Sequence, residues 1–375
     1  SNKLCTRTLA QLVDMITRLR IFLTIRVLSG GVANSLSSHL RVISCQRISS
    51  MSTKPKVFIT RRVPESGPTL LKTQCEVAQW SKDDPIPRTE LLSSVKGVDA
   101  LFCLLTEKID GELLDAAGPS LKVVGTMSVG YDHVDLQACA ERGVKVGFTP
   151  NVLTNAVAEL TVALLLATSR RLKEAIRAVE NGSWGTWKPM WLCGPGLEGS
   201  TVGIVGFGRI GMAVARCLKP FAVNRMLYTD FAERPAEAKE IGAEFRSLDE
   251  VLAASDFVLA CVALTPDTKE MFNKDLFKKM KKTAVFINTS RGGVVQQDDL
   301  YQALVDGEIG AAGLDVTTPE PLPTDSPLLT LDNCVVLPHI ASATHTSRGA
   351  MSELTARNIL LALNSQPMPS EIKAS

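Results

Sequence analysis

The sequence predicts an α/β protein with two doubly wound parallel sheets. Its 375 residues are about two to three times the usual domain length, and 45% of them are hydrophobic. From residue 54 onward, short apolar runs alternate with helical segments, and the alternation occurs twice with an irregular stretch between. Strand, helix and strand at this spacing are typical of parallel sheets. The net charge of +2 favours neither nucleic acid nor a membrane as a partner.

The first 53 residues differ in composition from the remainder. Residues 1–50 contain seven Lys or Arg side chains and one acid, Asp14, and charged side chains interrupt their apolar run, which therefore cannot span a bilayer unaided. An Arg- and Ser-rich start of this kind is typical of a mitochondrial transit peptide, whereas Met51 is the alternative natural start. In either case residues 1–53 are expected to be a leader outside the fold, disordered or transit-like. The expected location is cytoplasmic, with mitochondria as the alternative.

The first alternating region begins at residue 56. Strands are predicted at residues 56–60, 100–105, 121–127 and 144–148, and helices at residues 110–117 and 135–142. One long helix is predicted over residues 154–180, because Ala, Leu and Val recur there at helical spacing until an Asn-Gly pair ends the pattern. Thr154 or Asn155 is predicted to cap its start.

The second alternating region follows a segment with neither period. That segment, residues 184–199, contains Trp184, Trp187 and Trp191 and is predicted to be a loop or an arm. Exposed indole rings favour aggregation of a monomer but are common in interface cores, so the arm is expected to pack against a second subunit in a homodimer. Six strands are then predicted, at residues 201–205, 225–228, 257–262, 284–288, 311–316 and 334–337.

The cysteines and histidines do not form a metal-binding pattern. The nine cysteines are scattered, mostly inside apolar runs, and none form a C-x-x-C pair. Such cysteines are typical of the reduced core of an intracellular protein. Zinc sites need clustered Cys and His ligands, which the four histidines do not supply. No metal is therefore expected.

The most specific local pattern is G-x-G-x-x-G at residues 206–211. Gly206, Gly208 and Gly211, with Arg209 and Ile210 between the last two, directly follow an apolar run and open a helical one. Glycines in that context allow a tight turn and a close approach of backbone to a pyrophosphate at the helix N-terminus. The pattern predicts a Rossmann-like dinucleotide site, and a tight turn without a ligand is the alternative.

An acid, Asp230, lies just after the end of the next predicted strand, residues 225–228. In dinucleotide-binding folds an acid at this place hydrogen-bonds the ribose 2′-hydroxyl of NAD and repels the 2′-phosphate of NADP. Arg234 lies shortly after it and could neutralise that phosphate instead. The two residues therefore favour opposite cofactors.

Polar side chains also follow or end later strands of the second region. Arg291, Asp315 and His339 come at the ends of three different predicted strands, and Glu320 lies in the loop between the last two. The carboxyl ends of parallel strands meet at one edge of a sheet, where ligands bind. An Arg, an acid and a His at that edge are the parts that a hydride-transfer site requires.

Five segments together identify a family. They are residues 205–211, 288–293 (NTSRGG), 313–316 (GLDV), 319–321 (PEP) and 337–342 (LPHIAS). In this order, and over residues 54–370, the chain resembles the D-isomer-specific 2-hydroxyacid dehydrogenases. Residues 126–133 (TMSVGYDH) are most similar to the animal branch that reduces glyoxylate to glycolate and hydroxypyruvate to D-glycerate. The alternatives are another such dehydrogenase, for example a phosphoglycerate dehydrogenase, and a non-enzymatic dinucleotide-sensing corepressor of the same fold.

The resemblance implies roles for the strand-end side chains. Arg291 would hold the substrate carboxylate and polarise the keto oxygen, since its guanidinium offers two parallel donors. His339 would be the general acid, because imidazole side chains ordinarily titrate at about pH 6.5. Glu320 would hydrogen-bond His339 and favour its charged form.

Other implied roles rest mainly on backbone atoms. Val129 and Gly130 would offer N–H groups to the carboxylate of the substrate, a small α-keto acid. Asp315 would contact the nicotinamide carboxamide. The remaining expected cofactor contacts are Ala263, Thr289 and Ser342.

The resemblance also implies a domain organisation and a cofactor. The substrate domain would be discontinuous, residues 54–152 and 345–375, and residues 153–344 would form the dinucleotide-binding domain, both Rossmann-like. The long helix after residue 153 would be the hinge between them. The animal branch implies NADPH, with NADH possible because of Asp230.

Overall fold

The computed structural model describes residues 54–373, and the predicted leader, residues 1–53, lies outside them. Within the described part, two sheets are covered by helices, and the predicted α/β class with two doubly wound sheets is confirmed. No helix in this part of the chain is both long enough and apolar enough to cross a membrane.

The first sheet has six strands. They are β1 Lys56–Ile59, β2 Glu76–Gln79, β3 Ala100–Cys103, β4 Val123–Thr126, β5 Lys145–Gly147 and β13 Glu371–Ile372. Their order is β13-β5-β4-β3-β1-β2, and all pairs are parallel except β13 with β5. The helices between strands are α1 Ser66–Lys72, α2 Arg88–Ser94, α3 Gly111–Ala117 and α4 Leu136–Glu141. Asp110 and Asp135 cap α3 and α4, because each carboxylate accepts a hydrogen bond from a first-turn amide.

The second sheet has seven parallel strands. They are β6 Thr201–Val205, β7 Arg225–Thr229, β8 Ala243–Phe245, β9 Phe257–Ala260, β10 Val285–Asn288, β11 Ala311–Leu314 and β12 Cys334–Val336. The order β12-β11-β10-β9-β6-β7-β8 reverses direction between β6 and β9, which is where open sheets bind ligands. The main helices are α7 Arg209–Leu218, α8 Pro235–Ile241, α9 Leu248–Ala254, α10 Lys274–Phe277 and α11 Gln297–Val305.

Three edge strands escape the sequence analysis, and the prediction of six strands in the second sheet was wrong. β2, β8 and β13 each lie at the edge of a sheet and carry no fully buried side chain. An edge strand that is only half covered needs no continuous apolar run, so its sequence resembles a loop. Every strand of both sheets that was predicted from an apolar run is present, with ends that differ by up to two residues.

The predicted single helix over residues 154–180 is two helices, α5 Thr154–Ser169 and α6 Leu172–Glu180. The break occurs at Arg171, whose backbone is left-handed with φ of 54°. The predicted cap was also wrong: Leu153 precedes α5 without a side-chain cap. The N–H of Thr154 instead donates to the Asn151 carbonyl at 3.1 Å, so a backbone turn satisfies this helix end.

The C-terminal helix, α12 His345–Leu363, returns the chain to the first sheet. It packs on β3 and β4, where a Cβ added to Gly125 would lie only 2.9 Å from Ile359. Asn358 donates to the Phe148 carbonyl at 2.9 Å and accepts from the Ser370 N–H at 3.1 Å, which holds the segment leading to β13 beside β5. The exact division into residues 54–152 with 345–375, and 153–344, stays a prediction.

Candidate active site

The glycine loop between β6 and α7 leaves open space above a helix N-terminus. Gly206 has a φ of 95°, and a Cβ there would lie 2.7 Å from the Cys261 carbonyl. A Cβ on Gly211 would collide with the Gly206 carbonyl, whereas Gly208 has no other atom near its missing side chain. The loop is therefore tight towards the protein and open towards solvent, as a pyrophosphate requires.

Asp230 follows β7 and is held against the glycine loop. Its carboxylate accepts hydrogen bonds from the N–H groups of Phe207 at 3.1 Å and Phe231 at 2.8 Å. Arg234 Nε donates to the same carboxylate at 3.2 Å, and the guanidinium lies over the Phe231 ring. The structure therefore pairs the two residues whose predicted effects on cofactor choice are opposite.

Arg291 follows β10 in a turn that Asn288 holds. The side chain of Asn288 donates to the Arg291 carbonyl at 2.9 Å and accepts from the Ser290 N–H at 3.0 Å. The guanidinium lies against Gly130, so closely that any side chain there would collide with it. Its Nε donates to Asp132 Oδ1 at 3.0 Å. Arg291 thus meets the predicted carboxylate-binding loop of the first sheet.

His339 and Glu320 form the second pair of the site. His339 Nδ1 lies 2.8 Å from Glu320 Oε2, and the other carboxylate oxygen accepts the Thr317 N–H at 3.0 Å. Burial would raise the pKa of Glu320, but the hydrogen bond and the charge of His339, together with the Arg291 guanidinium, lower it. Glu320 is therefore ionised at neutral pH. Because Glu320 binds Nδ1 of His339, the other ring nitrogen, Nε2, is left for another partner.

The buried carboxylate of Asp315 holds the backbone that carries His339. Its two oxygens accept the N–H groups of Ile340 and Ala341, each at 2.8 Å, and its carbonyl accepts the His339 N–H at 2.8 Å. His339 itself has a left-handed backbone with φ of 54°. Burial raises the pKa of Asp315 although these hydrogen bonds and His339 oppose the shift.

The remaining predicted residues lie at the same strand ends. Ala263 follows β9, and its carbonyl accepts the Thr268 hydroxyl at 2.6 Å. Thr289 follows β10, and its hydroxyl lies 2.7 Å from that of Thr161 on α5. Ser342 follows His339 in the loop before α12. Val129 lies beside Gly130 in the loop after β4, where the Ser128 hydroxyl donates to the Gly130 carbonyl at 2.6 Å.

Sequence reasoning assigned no individual role to Asp132 or His133. Asp132 makes the ion pair with Arg291 described above, and its sequence signal is an acid two residues after Gly130. His133 Nε2 lies 3.0 Å from the Thr126 hydroxyl, and its Nδ1 is buried without a partner. No group of three His, Cys, Asp or Glu side chains among residues 54–373 could hold a metal ion.

Comparison with known proteins shows the family of this chain. Residues 162–341 match the family described as D-isomer specific 2-hydroxyacid dehydrogenase, NAD binding domain. The chain is 59% identical to human glyoxylate reductase/hydroxypyruvate reductase over 320 residues, which are 85% of this chain and 98% of that protein. The chain belongs to the D-isomer-specific 2-hydroxyacid dehydrogenases. As a member of that family, the protein is an NAD(P)-dependent oxidoreductase.

Further relatives of this 2-hydroxyacid dehydrogenase come from distant organisms. The glyoxylate reductase of Thermococcus kodakarensis is 46% identical, over 84% of this chain and 95% of that protein. Among solved structures, an NADPH-dependent glyoxylate/hydroxypyruvate reductase of Sinorhizobium meliloti, in complex with NADP and malonate, matches with a TM-score of 0.74 and 31% identity. That match covers 85% of this chain and 97% of the other.

His133 makes the stability of this dehydrogenase depend on pH. Burial lowers its pKa from the ordinary 6.5 to about 4, against the charge of Asp132 and with that of Arg291. The folded state therefore binds a proton less readily than the unfolded state. We therefore expect the folded protein to lose none of its stability through this group above about pH 6.5, and to lose stability through it as the pH falls towards about 4.

We predict that His133→Gln reduces this loss, because a neutral amide does not titrate. The difference between variant and wild type should grow by on the order of 2–3 kcal/mol between pH 7.5 and pH 4, an upper value for a partly exposed ring. Urea unfolding at several pH values measures it, and Asp, Glu and other His titrations cancel in the difference. Parallel pH curves for the two proteins would contradict the prediction.

Proposed function

We propose that this dehydrogenase reduces glyoxylate to glycolate and hydroxypyruvate to D-glycerate with NAD(P)H. The observation that carries the proposal is the 59% identity to the human reductase of that name over almost its entire length. The pairing of Glu320 with His339 and the position of Arg291 at the same strand edge are consistent with it. Initial rates with each keto acid, under NADPH and NADH, test class, substrate and cofactor together.

We propose the two-domain division stated above, with the substrate cleft between the sheets. Residues 54–152 form five strands of the first sheet, and the sixth comes from the C-terminal segment 345–375. Residues 153–344 contain all seven strands of the second sheet. Support for a cleft here comes from Arg291 of the second sheet, which contacts Gly130 and Asp132 of the first.

Arg291 is proposed to bind the carboxylate of the keto acid. Its guanidinium presents several N–H donors in one plane, and a carboxylate accepts two of them in parallel. The N–H groups of Val129 and Gly130 lie in the loop that contacts this guanidinium and would complete the binding site. The same positive charge polarises the neighbouring keto oxygen, which favours reduction at the carbon beside it.

His339 is proposed to donate a proton to the keto oxygen as that oxygen becomes a hydroxyl. Its Nδ1 is engaged by Glu320 at 2.8 Å, so Nε2 is the nitrogen that can face the substrate. The carboxylate of Glu320 stabilises the protonated ring before the reaction and orients it. Asp315 keeps the backbone of His339 in place through the hydrogen bonds described above.

The proposed cofactor site fits a dinucleotide. Gly206, Gly208 and Gly211, with Arg209 and Ile210, would hold the pyrophosphate, and Asp230 and Arg234 lie where the adenosine ribose would bind. Ala263, Thr289, Asp315 and Ser342 would line the nicotinamide end. When bound, the reduced nicotinamide supplies the hydride.

The first prediction from the proposed function concerns His339. His339→Ala should lower kcat by ~10²–10⁴-fold, because no other group donates the proton, while cofactor affinity measured by fluorescence titration stays nearly unchanged. His345→Ala is the matched control: this histidine is exposed at the start of α12, and its loss should leave kcat unaffected. Activity of His339→Ala within a few-fold of wild type would remove His339 from the mechanism.

Glu320→Gln extends the same test. An amide cannot stabilise the protonated imidazole as a carboxylate does, so the alkaline limb of the pH–kcat profile should move to lower pH with a milder loss of rate. The coupling is reciprocal, since His339 lowers the pKa of Glu320. An unchanged profile would mean that the two side chains do not interact in the active enzyme.

The second prediction concerns cofactor choice. NADPH is the expected cofactor from the family, but the Asp230 carboxylate would face its 2′-phosphate, at a cost of ~1–3 kcal/mol, or roughly ten- to hundredfold in affinity. Asp230→Ser should therefore improve the KM for NADPH and weaken that for NADH. Arg234→Ala should do the reverse, because its guanidinium neutralises Asp230. If neither variant changes the ratio of the two KM values, Asp230 points away from the ribose.

We also propose that the enzyme is a homodimer. Helix α6 exposes one apolar face, with Leu172 exposed by 44%, Ile176 by 56% and Val179 by 61%. The adjoining arm exposes Trp184 by 61% and Trp187 by 81%. A contiguous apolar surface of this kind is typical of a subunit interface. The cytoplasmic location, with mitochondria as the alternative, remains a prediction because residues 1–53 lie outside the described part.

The third prediction follows from this surface. Light scattering at micromolar concentration should give the mass of a dimer, and Ile176→Glu should shift it towards the monomer because the charge would be buried without a partner. Val305→Glu is the control, since Val305 is 51% exposed on α11 and belongs neither to α6 nor to the arm. A monomeric wild-type protein, or a dimer that tolerates Ile176→Glu, would refute the proposed interface.

A further inference from the structure

We propose that Asp132 is a positioning residue that holds the Arg291 guanidinium in the orientation that receives the substrate carboxylate. The inference rests on the proposed function of Arg291, and Asp132 itself need not touch the substrate. It adds to the site a residue from the loop after β4 that lies outside the Arg, Glu and His set.

The guanidinium of Arg291 contacts three neighbours. Nε donates to Asp132 Oδ1 at 3.0 Å, and Nη1 donates to the Ser290 carbonyl at 2.9 Å. Nη2 lies over the Gly130 backbone, where any side chain would collide with it. Asp132 and Gly130 thus contact the same Nε–Nη2 edge of the guanidinium, and Nη2 faces the loop whose N–H groups are proposed to bind the substrate carboxylate.

The electrostatic environment stabilises the ion pair between Asp132 and Arg291. Burial would raise the pKa of Asp132, but the charge and the hydrogen bond of Arg291 lower it, so the carboxylate is ionised at neutral pH. The two side chains are exposed by only 32% and 22%, which reduces screening by water. Among residues 54–373, Asp132 is the one carboxylate within ion-pair distance of Arg291.

The pair joins the two sheets. Asp132 lies in the loop after β4 of the first sheet, and Arg291 follows β10 of the second. An arginine side chain has several rotatable bonds. Without Asp132 it would have more conformational entropy when free in solvent than when held in the geometry that binds a carboxylate. Removal of Asp132 should therefore weaken substrate binding, with little effect on the dinucleotide, whose proposed site is at the glycine loop.

The test compares Asp132→Ala and Asp132→Asn with wild type. In Asp132→Ala, KM for glyoxylate and hydroxypyruvate should rise at least about tenfold, since a displaced guanidinium loses its alignment with the carboxylate. Asp132→Asn keeps a hydrogen-bond acceptor without the charge, so its KM for the keto acids should lie between those of wild type and Asp132→Ala. KM for the dinucleotide and the urea midpoint should stay near wild type. Asp115→Ala is the matched control, because it breaks an ion pair with Arg142 elsewhere in the first-sheet region and should change none of these values.

Added formate separates positioning from a general structural role. In Asp132→Ala a small carboxylate can enter the space beside Arg291 Nε and should restore part of the activity, whereas in wild type it can only compete with substrate. A KM for keto acid that stays unchanged in Asp132→Ala would overturn the proposal. So would equal losses of substrate affinity, dinucleotide affinity and stability without rescue, because these describe a folding defect.

Malonate binding keeps this inference distinguishable from the proposed function. Calorimetry with malonate and saturating dinucleotide measures the carboxylate site without turnover, and the Kd should rise at least about tenfold in Asp132→Ala. A wild type that reduces neither keto acid would overturn the proposed function alone. In that case the tenfold loss of malonate affinity still supports the role of Asp132, and an unchanged malonate affinity refutes it.

Discussion

The conformation of the catalytic edge depends on one buried carboxylate, that of Asp315. It binds two successive backbone amides after His339, while the Asp315 carbonyl binds the amide of His339 itself. A left-handed backbone at a residue other than glycine costs on the order of 1–3 kcal/mol, and these three hydrogen bonds offset that cost. They hold His339 in the conformation in which its imidazole contacts Glu320.

Two carboxylates hold His339, one through its backbone and one through its ring, and they have opposite electrostatic environments. Asp315 is almost completely buried and bonded to neutral amides, and its pKa is raised. Glu320 faces the imidazole and the Arg291 charge, and its pKa is lowered. The same functional group therefore serves as a backbone clamp in one place and as a counter-ion in the other. Environments that separate the pKa values of neighbouring acids in this way are typical of acid–base sites.

Sequence patterns could predict those parts of the molecule whose information is local. Buried strands are continuous apolar runs, and the glycine loop and the polar residues at strand ends lie directly beside such runs, so both sheets and most of the site were predictable. The edge strands β2, β8 and β13 were not, because half-covered strands have no distinctive composition. The break at Arg171 depends on backbone geometry. The ion pair between Asp132 and Arg291 joins residues 159 positions apart, which no local pattern records.

The return of the chain to its first sheet has a consequence for biosynthesis. The first five strands emerge from the ribosome early, but the helix that covers β3 and β4, and the strand that completes the sheet beside β5, are made last. Until then one apolar face of β3 and β4 has no cover, and the edge of β5 has no partner. Domains commonly fold in order from the N-terminus during translation. Here the first sheet can be completed only after the second has been synthesised.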